Sequence, residues 1–186
     1  MPLGTSFPTV LESAQAGHDW AFTALYREYN SGLVRYFASR VFRDAEDLVA
    51  ETWIGAARGL RAFAGDETQF RRWLYTIAHR RLADHRGEAE RSRSDPVDPV
   101  TLDDVFLSGG PEELLLDCDS ALATARRITA ALSPDQAEVV LLRLYGQLSL
   151  GEVAEVMGRR VGAIRVLQHR ALRRLQREFS VEGVTP

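Results

Sequence analysis

The sequence predicts an all-α protein made of two small helical domains joined by a flexible acidic linker. Apolar residues recur at three- and four-residue intervals through most of the chain, which is typical of amphipathic helices, and no segment alternates as a strand does. Residues 94–113 contain three prolines and a Gly-Gly pair, which do not fit a periodic element. A chain of 186 residues is long enough for one or two domains.

The net charge of −3 conceals an uneven distribution, and all 23 basic residues are arginines. Residues 70–93 contain seven arginines against three acids, and residues 158–177 contain seven arginines and no acid. Between them, residues 94–119 contain eight acids and no arginine. Arginine pairs well with phosphates and guanine edges, although a GC-rich genome is the simpler explanation for the absence of lysine.

Composition excludes several classes of protein. With 45% hydrophobic and 26% charged residues, the chain can bury a core and remain soluble. No apolar run approaches the roughly 20 residues of a membrane span, and "MPLGTSFPTV" lacks the pattern of a secretory signal. The single Cys118 excludes an internal disulfide and a cysteine-built metal site. We therefore expect a cytoplasmic protein with no cofactor, no metal and no direct membrane insertion.

The first predicted domain spans residues 18–93, after an N-terminal segment of residues 1–17. "DWAFTALYREY" is helical in its spacing, and "DAEDLVAETWIGAARGLRAF" opens with Asp44 as a predicted N-cap. Acids fill the first turn of this second helix, where the helix dipole favours them. A third helix is expected from about Glu67.

The stretch "FRRWLYTIAHRRLADHR", residues 70–86, interleaves aromatic residues with arginines. A single-stranded nucleic acid site needs both, because unpaired bases stack on aromatic rings while cations hold the backbone. The alternative is that the aromatic residues are simply core, which is the favoured interpretation for Trp73.

The second predicted domain spans residues 119–180, after the linker of residues 94–118 and before a tail of residues 181–186. Its pattern contains Ser133 as an N-cap with proline next, then Ser149 and Glu152 as a capping box. Gly158 is expected to close that short helix, and a basic amphipathic helix follows. A short helix, a turn with glycine and a basic helix together predict a helix-turn-helix.

On a helical wheel the basic helix has an apolar face and a charged face. The face predicted to meet the core holds Val161, Ile164, Leu167, Ala171, Leu172 and Leu175. The opposite face holds Arg165, His169, Arg170, Arg173 and Arg174, with Val166 placed to pack on a thymine methyl. The plainer alternative is a solvated face of a bundle helix, but the capping box, the turn glycine and the absence of acids favour a DNA groove.

Taken together, three stretches give the chain a family resemblance. "DAEDLVAETWIGAARGLRAF", "FRRWLYTIAHRRLADHR" and "LSPDQAEVVLLRLYGQLSLGEVAEVMGRRVGAIRVLQHRALRRL" resemble an extracytoplasmic-function (ECF) sigma factor of the sigma-70 family. The resemblance covers roughly residues 18–90 and 119–178, in the expected order. It implies a sigma region 2 bundle, a sigma region 4 helix-turn-helix, and binding to core RNA polymerase for initiation at promoters with −35 and −10 elements.

The resemblance also implies three sets of site residues. The helix from Asp44 matches the segment that binds the clamp helices of the polymerase β′ subunit, through Asp44, Glu46, Asp47, Leu48, Glu51 and Trp53. The stretch after it matches the segment that melts and reads the −10 element, through Phe63, Phe70, Arg71, Arg72, Trp73, Arg80, Arg81, Asp84 and Arg86, with an extruded base received near "AGDETQF". Contacts to the −35 element are implied for Arg143, Arg159, Arg160, Arg165, Val166, His169 and Arg170.

The sequence departs from the family pattern at two DNA-reading places. His79-Arg80 stands where many relatives have Arg-Asn, and Val166-Leu167 stands where relatives often have Ser-Arg. The resemblance therefore does not extend to base preference. Only the acidic linker separates the domains, as in the short ECF group. Its acids are either a mimic of nucleic acid in the RNA exit path of the polymerase or a soluble tether.

The resemblance implies further partners: the polymerase β subunit and an inhibitory anti-sigma factor. Three other functions fit the sequence less well. Catalysis is disfavoured because His18, His79, His85 and His169 are scattered without metal-binding spacing. A stand-alone helix-turn-helix regulator would use the same basic helix but would not need the acidic helix, and a pure interaction protein would not need the basic one.

Overall fold

A computed structural model describes residues 3–41, 43–92 and 122–180, and no strand occurs in those ranges. Within them the backbone is helical apart from short turns and connections, as the sequence pattern predicts. The predicted linker at residues 94–118, including Cys118, and the tail at residues 181–186 lie outside the described residues.

Four helices form the N-terminal half: α1 (Phe7–Gln15), α2 (Asp19–Ala38), α3 (Ala45–Gly59) and α4 (Glu67–Ser92). Short 3-10 turns at Gly4–Ser6 and Leu60–Ala62 precede α1 and follow α3. Helix α2 packs between α1 and α3, and α3 packs along α4. Helix α1 buries residues spaced at three and four positions along one face, namely Phe7, Val10, Leu11 and Ala14.

The centre of this half is an aromatic cluster around the fully buried Phe70. The ring of Phe70 lies with its centroid 5.3–5.6 Å from those of Phe7, Tyr29, Phe63 and Trp73. Tilted and edge-to-face contacts at this separation add to the stabilisation from burial alone. Because the five rings come from α1, α2, α4 and the α3–α4 connection, this cluster fixes where α4 begins.

The C-terminal half contains α5 (residues 122–130), α6 (Pro134–Leu144), α7 (Leu150–Val156) and α8 (Val161–Ser180). Both predicted N-caps are confirmed: Ser133 caps α6 with Gln136, and Ser149 caps α7 with Glu152, each as a reciprocal capping box. Gly158 follows α7 with a φ of 62°, in the left-handed region that favours glycine. This geometry confirms the predicted turn before α8.

Helix α8 buries a narrower apolar stripe than its sequence predicts. Ile164 and Ala171 are fully buried, as expected, but Val161 and Leu172 are 39% and 49% exposed. Helix α7 has only seven residues, so it cannot cover the whole of the 20-residue α8, which also packs against α6. The later part of α8 packs through Ala171 and Leu175 against a small cluster from α5 and α6, and the ring of Phe179 lies 5.7 Å from the Arg127 guanidinium of α5.

The two halves pack against each other directly. Helix α4 lies along α7, and the end of α2 meets α5. There, Arg126 Nε donates to the backbone oxygen of Ala38 at 2.9 Å, and Thr129 Oγ1 donates to that of Ser39 at 3.0 Å. One apolar cluster runs through both halves, so the described chain forms a closed arrangement of the two domains.

The Ser149 cap gives a stability prediction. Ser149→Ala removes the hydroxyl that accepts from Glu152 N, and the loss of such a cap costs about 0.5–2 kcal/mol. We expect a lower midpoint in thermal unfolding followed by circular dichroism. Ser31→Ala, at an exposed position inside α2, is the matched control and is expected to leave the midpoint nearly unchanged. Equal midpoints for the two variants would contradict the capping role.

Candidate nucleic-acid and protein interfaces

The first half of α8 presents a basic surface to solvent. Arg165, His169 and Arg170 are exposed, and Val166 lies among them with 48% of its surface accessible. Neither Arg165 nor Arg170 forms an ion pair within the described ranges, so both guanidinium groups are available to an anion. At Gly162 an added Cβ would meet no atom within 4 Å, so another surface can approach the start of this helix closely.

Two of the predicted −35 residues are already engaged in the structure. Arg143 Nη1 donates to the backbone oxygen of Leu148 at 2.6 Å, which holds the turn between α6 and α7. Arg159 Nη2 lies 2.7 Å from Asp135 Oδ2 in an exposed ion pair. Arg160 is exposed, as Arg165, His169 and Arg170 of α8 are. Arg143 therefore supports the turn, while the surface before α8 remains basic.

The α6–α7 turn is tightly built. An added Cβ at Gly146 would lie 2.6 Å from the backbone oxygen of Leu142, so only glycine fits there. Gln147 follows with a φ of 52°, an uncommon conformation for a residue with a side chain. These constraints, with the two capping boxes, hold α7 and α8 in a fixed helix-turn-helix.

The start of α3 forms an acidic surface. Asp44, Glu46, Asp47 and Glu51 are all exposed. Asp44 occupies the N-cap position as predicted, but its side chain makes no cap hydrogen bond. Instead its Oδ2 lies 3.2 Å from His85 Nε2, and Glu51 Oε2 lies 3.8 Å from Arg81 Nε. Glu46 and Asp47 have no such partner among the described residues, and they are the freest acids of this surface.

The two apolar residues predicted to contact the polymerase are buried in this arrangement. Leu48 and Trp53 are each 5% exposed and pack inside their own domain, where Trp53 Nε1 also donates to Asn30 Oδ1 at 3.1 Å. Both residues lie on the inner face of α3, so they cannot meet an outside partner in this arrangement. The pattern of the sequence shows a helix but does not by itself distinguish the buried apolar face from an exposed one.

Three exposed apolar residues of α2 and α3 were missed from the sequence. Trp20, Tyr26 and Ile54 are 57%, 41% and 50% exposed. The ring of Tyr26 packs 5.1 Å from that of Trp53, so a partly exposed aromatic layer covers the buried tryptophan. A large exposed apolar side chain is informative, because such residues are usually buried unless they contact a partner. The sequence offered one signal for them: α2 and α3 contain more large apolar residues than a single buried face of each helix can hold.

The aromatic residues of the predicted −10 stretch do not share one environment. Phe70 is fully buried in the aromatic cluster, so its predicted contact with a base stays a prediction that the closed arrangement does not expose. Phe63 and Trp73 are half-buried, with ring centroids 5.1 Å apart. Trp73 also packs on Gly59, where an added Cβ would lie 2.9 Å from its ring. Trp73 is thus partly a core residue, as the alternative interpretation of the sequence predicts. Phe70 lies beneath the half-buried rings of Phe63 and Trp73 and packs against both.

The charged side chains of α4 make contacts in different places: some contact the second domain, and others pair within their own domain or face solvent. Arg71 and Arg72 face the second domain, where Arg71 Nη1 donates to Gln147 Oε1 at 3.5 Å and Arg72 Nη1 lies 2.5 Å from Glu155 Oε2. Further along, Arg80 and Asp84 are exposed, and Arg81 pairs with Glu51 of α3. Arg86 is half-buried and lines a groove of about 440 Å³ between the domains, together with Arg40 and Arg126.

The connection from Phe63 to Asp66 is ordered by its own capping interactions. Asp66 N donates to Gln69 Oε1 at 2.9 Å, and Gln69 N donates to Asp66 Oδ1 at 2.8 Å, which closes a capping box on α4. Gly65 fits closely beneath, since an added Cβ would lie 2.5 Å from the Gln69 side chain. We call residues 63–66 the α4 entry loop.

A buried polar cluster joins the two domains. Glu138 of α6 is 2% exposed, and its Oε1 accepts from Tyr36 Oη and lies 2.8 Å from His79 Nδ1. Its Oε2 has no hydrogen-bond partner among the described residues but lies 3.6 Å from Arg40 Nη2. Arg40 also donates to the backbone oxygen of Pro134. All three side chains around Glu138 come from the other domain.

The electrostatics of this cluster follow from burial and pairing. Burial would raise the pKa of Glu138, but the hydrogen bond and charge of His79, with Tyr36 and Arg40, lower that pKa below its usual value of 4.5. Burial, followed by the Glu138 charge, raises the pKa of Tyr36 well above its usual value. Burial, followed by repulsion from Arg86, lowers the pKa of Arg40. Glu138 is therefore held as a carboxylate at neutral pH.

These surfaces define a two-domain helical protein with an acidic helix on one domain and a helix-turn-helix on the other. The family model for Sigma-70 region 2 matches residues 25–92, and that for Sigma-70, region 4 matches residues 122–175. The chain belongs to the sigma-70 family, in its extracytoplasmic-function group. It is thus a transcription initiation factor by family and not an enzyme.

Similar sigma factors support the assignment to the extracytoplasmic-function group. The chain is 38% identical over 172 residues to the ECF RNA polymerase sigma factor BldN of Streptomyces coelicolor, covering 90% of this chain and 64% of that protein. It is 30% identical over 187 residues to the ECF RNA polymerase sigma factor SigD of Mycobacterium tuberculosis, covering 97% and 87%. The chain thus spans somewhat under two thirds of BldN but most of SigD.

Solved structures support the fold. CnrH, in complex with the cytosolic domain of CnrY, superposes with a TM-score of 0.66 at 22% identity, covering 94% of this chain and 97% of CnrH. The sigma factor RpoE of Bartonella quintana, in complex with the anti-sigma factor NepR, gives a TM-score of 0.57 at 22% identity, covering 85% and 98%. None of the helices in the described ranges is long and apolar enough to cross a membrane.

The buried cluster predicts a strong dependence of stability on Glu138. Glu138→Ala leaves Arg40 and His79 without their buried partner, and breaking a buried pair in this way costs about 3–5 kcal/mol. Urea unfolding at pH 7 measures this loss. Glu155→Ala is the control, because it removes the exposed interdomain pair with Arg72 and is expected to cost less than about 1 kcal/mol. Similar losses for both variants would contradict a special role for the buried pair.

The same measurement has an expected pH dependence. Because the folded-state pKa of Glu138 lies below its usual value of 4.5, its stabilisation is present above that value. It is lost as the pH falls through the lower folded-state pKa, where the carboxylate becomes protonated. The difference in unfolding free energy between the wild type and Glu138→Ala should therefore shrink on acidification below pH 4.5.

Proposed function

We propose that this chain binds core RNA polymerase in the bacterial cytoplasm and directs transcription initiation at promoters that carry a −35 and a −10 element. The observation that carries the proposal is the pairing of two unlike surfaces: an unpaired basic face on α8 and an acidic, partly apolar face on α2 and α3. A stand-alone regulator would need only the first. Membership of the ECF group supports the same function.

We assign the polymerase contact to residues 18–93, acting as region 2. Glu46 and Asp47 are exposed acids at the start of α3, suited to a basic helical partner such as the β′ clamp helices. Trp20, Tyr26 and Ile54 supply the exposed apolar area that Leu48 and Trp53 cannot supply. Charged groups at such a surface speed association and set orientation, while buried apolar contacts provide most of the affinity.

We assign reading and melting of the −10 element to the α4 entry loop and the outer face of α4. Extruding a base costs a few kcal/mol of stacking, which stacking on protein rings and contacts to the backbone offset. Phe63 and Trp73 are half-exposed rings at this loop, and Arg80 is an exposed cation along α4. Phe70 keeps the loop in place and does not contact DNA in this assignment.

We assign the −35 contact to residues 119–180, acting as region 4. Arg165, His169 and Arg170 project from the first half of α8, which in a helix-turn-helix enters the major groove. Arg160 and, once released from Asp135, Arg159 suit the flanking phosphates. Val166 offers an apolar contact to a thymine methyl. The later half of α8, with Leu172 exposed, remains free for the polymerase β subunit.

The closed arrangement has to open for this function. The −35 and −10 elements are separate stretches of a duplex that rises about 3.4 Å per base pair, whereas the two domains here share one core. The interface also uses Arg71 and Arg72 from the −10 stretch. The closed form is therefore a resting state, and polymerase binding supplies the free energy for separation. An anti-sigma factor is the expected partner that keeps such a chain inactive.

The direct test is transcription with purified bacterial core polymerase on a pool of promoter fragments, with and without this chain, followed by sequencing of RNA 5′ ends. New start sites that share a −35/−10 pair support the proposal and supply the motif. Binding to promoter fragments without polymerase, and no new start sites with it, would instead identify a stand-alone regulator.

Arg165→Ala should weaken recognition of the −35 element. A lost side-chain contact to a base edge is worth about 1–3 kcal/mol, or roughly tenfold to a hundredfold in affinity. Holoenzyme binding to a labelled promoter fragment measures it, and a mutated −35 element should show a smaller effect. Arg177→Ala, on the same helix more than three turns away, is the control. An equal effect of both variants would indicate charge attraction alone.

Asp47→Arg should weaken binding to the polymerase without affecting DNA contacts. It reverses an exposed charge that pairs with no other described residue, so the fold is expected to be retained. Binding to core polymerase, measured by fluorescence anisotropy, should fall at least about tenfold at low salt and recover partly for an acidic clamp-helix variant. Glu12→Arg, the same change on the exposed side of α1, should bind as the wild type does.

A further inference from the structure

Residues 3–15, which precede the range matched by the family model, pack against the domain that carries the α4 entry loop. The match to region 2 begins at residue 25, yet α1 (Phe7–Gln15) packs into the core of that domain. Its buried side chains include Phe7, whose ring lies 5.6 Å from that of Phe70. Residues 3–15 thus belong to the folded domain, although they lie outside the part of the family that the match covers.

Gln15, the last residue of α1, donates hydrogen bonds to Leu60 and Phe63, the two ends of the segment that leads into the loop. Its Nε2 donates to the backbone oxygen of Leu60 at 2.9 Å and to that of Phe63 at 2.7 Å. One amide nitrogen has two hydrogens, and both are used here. The two carbonyl groups therefore have a common donor, which holds the backbone on the N-terminal side of the α4 entry loop.

Glu67, the first residue of α4, is held on the other side of the loop by the same N-terminal segment. Its carboxylate accepts from Leu3 N at 2.9 Å and from Gly4 N at 2.8 Å. It also accepts from Tyr29 Oη at 2.9 Å. The loop of residues 63–66 is thus fixed at both ends by contacts from residues 3, 4 and 15.

We propose that Gln15 and Glu67 are positioning residues that set the place of the α4 entry loop and thereby determine how strictly the chain discriminates bases of the −10 element. The proposal rests on the assignment of this loop to an extruded base. A base pocket discriminates only when its backbone and rings are held to within a fraction of an ångström. Phe63, whose backbone oxygen Gln15 holds, is also the ring that packs on Trp73.

The test compares Gln15→Glu with Glu12→Gln. Gln15→Glu keeps size and shape but replaces the donor with an acceptor facing two carbonyl oxygens. Glu12 is exposed on the same helix, so its replacement changes charge without touching the loop. Holoenzymes containing each variant are assayed on promoters with single base changes across the −10 element, both as duplexes and with the element already opened by mismatches.

We expect Gln15→Glu to lower the ratio of transcription between the preferred and substituted −10 bases by about fivefold to tenfold, on duplex and opened templates alike. Affinity for core polymerase and the effect of −35 substitutions should stay within about twofold of wild type. The Glu12→Gln holoenzyme should discriminate as the wild type does. A uniform loss of activity on every template, with discrimination unchanged, would show a purely structural role and overturn the proposal.

Glu67→Gln provides the second variant. It weakens the acceptor on the other side of the loop while leaving Gln15 intact, so it should reduce discrimination in the same assay even if Gln15→Glu fails to fold. Unchanged discrimination for Glu67→Gln would overturn the proposal in that case. Failure of the wild-type chain to direct initiation at all is a different result, because it would refute the proposed function and not the positioning role.

Discussion

The arrangement of the two domains depends on one buried carboxylate, Glu138. A charge that is 2% exposed is tolerated only where partners replace its water, and here every such partner comes from the other domain. A cluster of this kind contributes less to net stability than apolar residues of the same size would. It does specify geometry, because a docking that buried the carboxylate away from His79 and Tyr36 would leave it without these partners. The closed form is thus defined by charge as well as by shape.

The same cluster gives a structural role to His79, one of the residues at which the sequence differs from the pattern that the family resemblance implies. Glu138 Oε1 lies 2.8 Å from Nδ1 of this histidine. That residue therefore serves the contact between domains, and it is not available to DNA until the domains separate. When the domains separate, water solvates both Glu138 and His79 and replaces much of the lost ion pair. Most of the free-energy cost of opening therefore comes from the loss of the apolar contacts that the domains share.

The sequence predicted the local structure well and the partners of individual side chains less well. Capping boxes, the Gly158 turn and the basic face of α8 depend on residues a few positions apart, so spacing alone predicts them. Phe70, Leu48 and Trp53 were placed in contact with partners but are buried, because periodicity shows an apolar stripe and not what covers it. Glu138, Gln15 and Glu67 were missed for a related reason. Each acts across 38 to 102 residues of sequence, beyond any local pattern.

Charges on this protein fall into two groups with different consequences for function. Arg72–Glu155, Arg81–Glu51 and Arg159–Asp135 are exposed pairs, each worth little in water, so phosphates or a protein partner can replace one member at small cost. The unpaired groups, Arg165 and Arg170 on α8 and Glu46 and Asp47 on α3, face solvent at all times and can meet DNA or polymerase before the domains separate. The Glu138 cluster resists exchange, because the carboxylate and its partner Tyr36 are both buried. First contact can therefore form on the closed chain through the free charges, the exposed pairs can exchange next, and the buried cluster opens last, once the bound surfaces supply enough free energy to separate the domains.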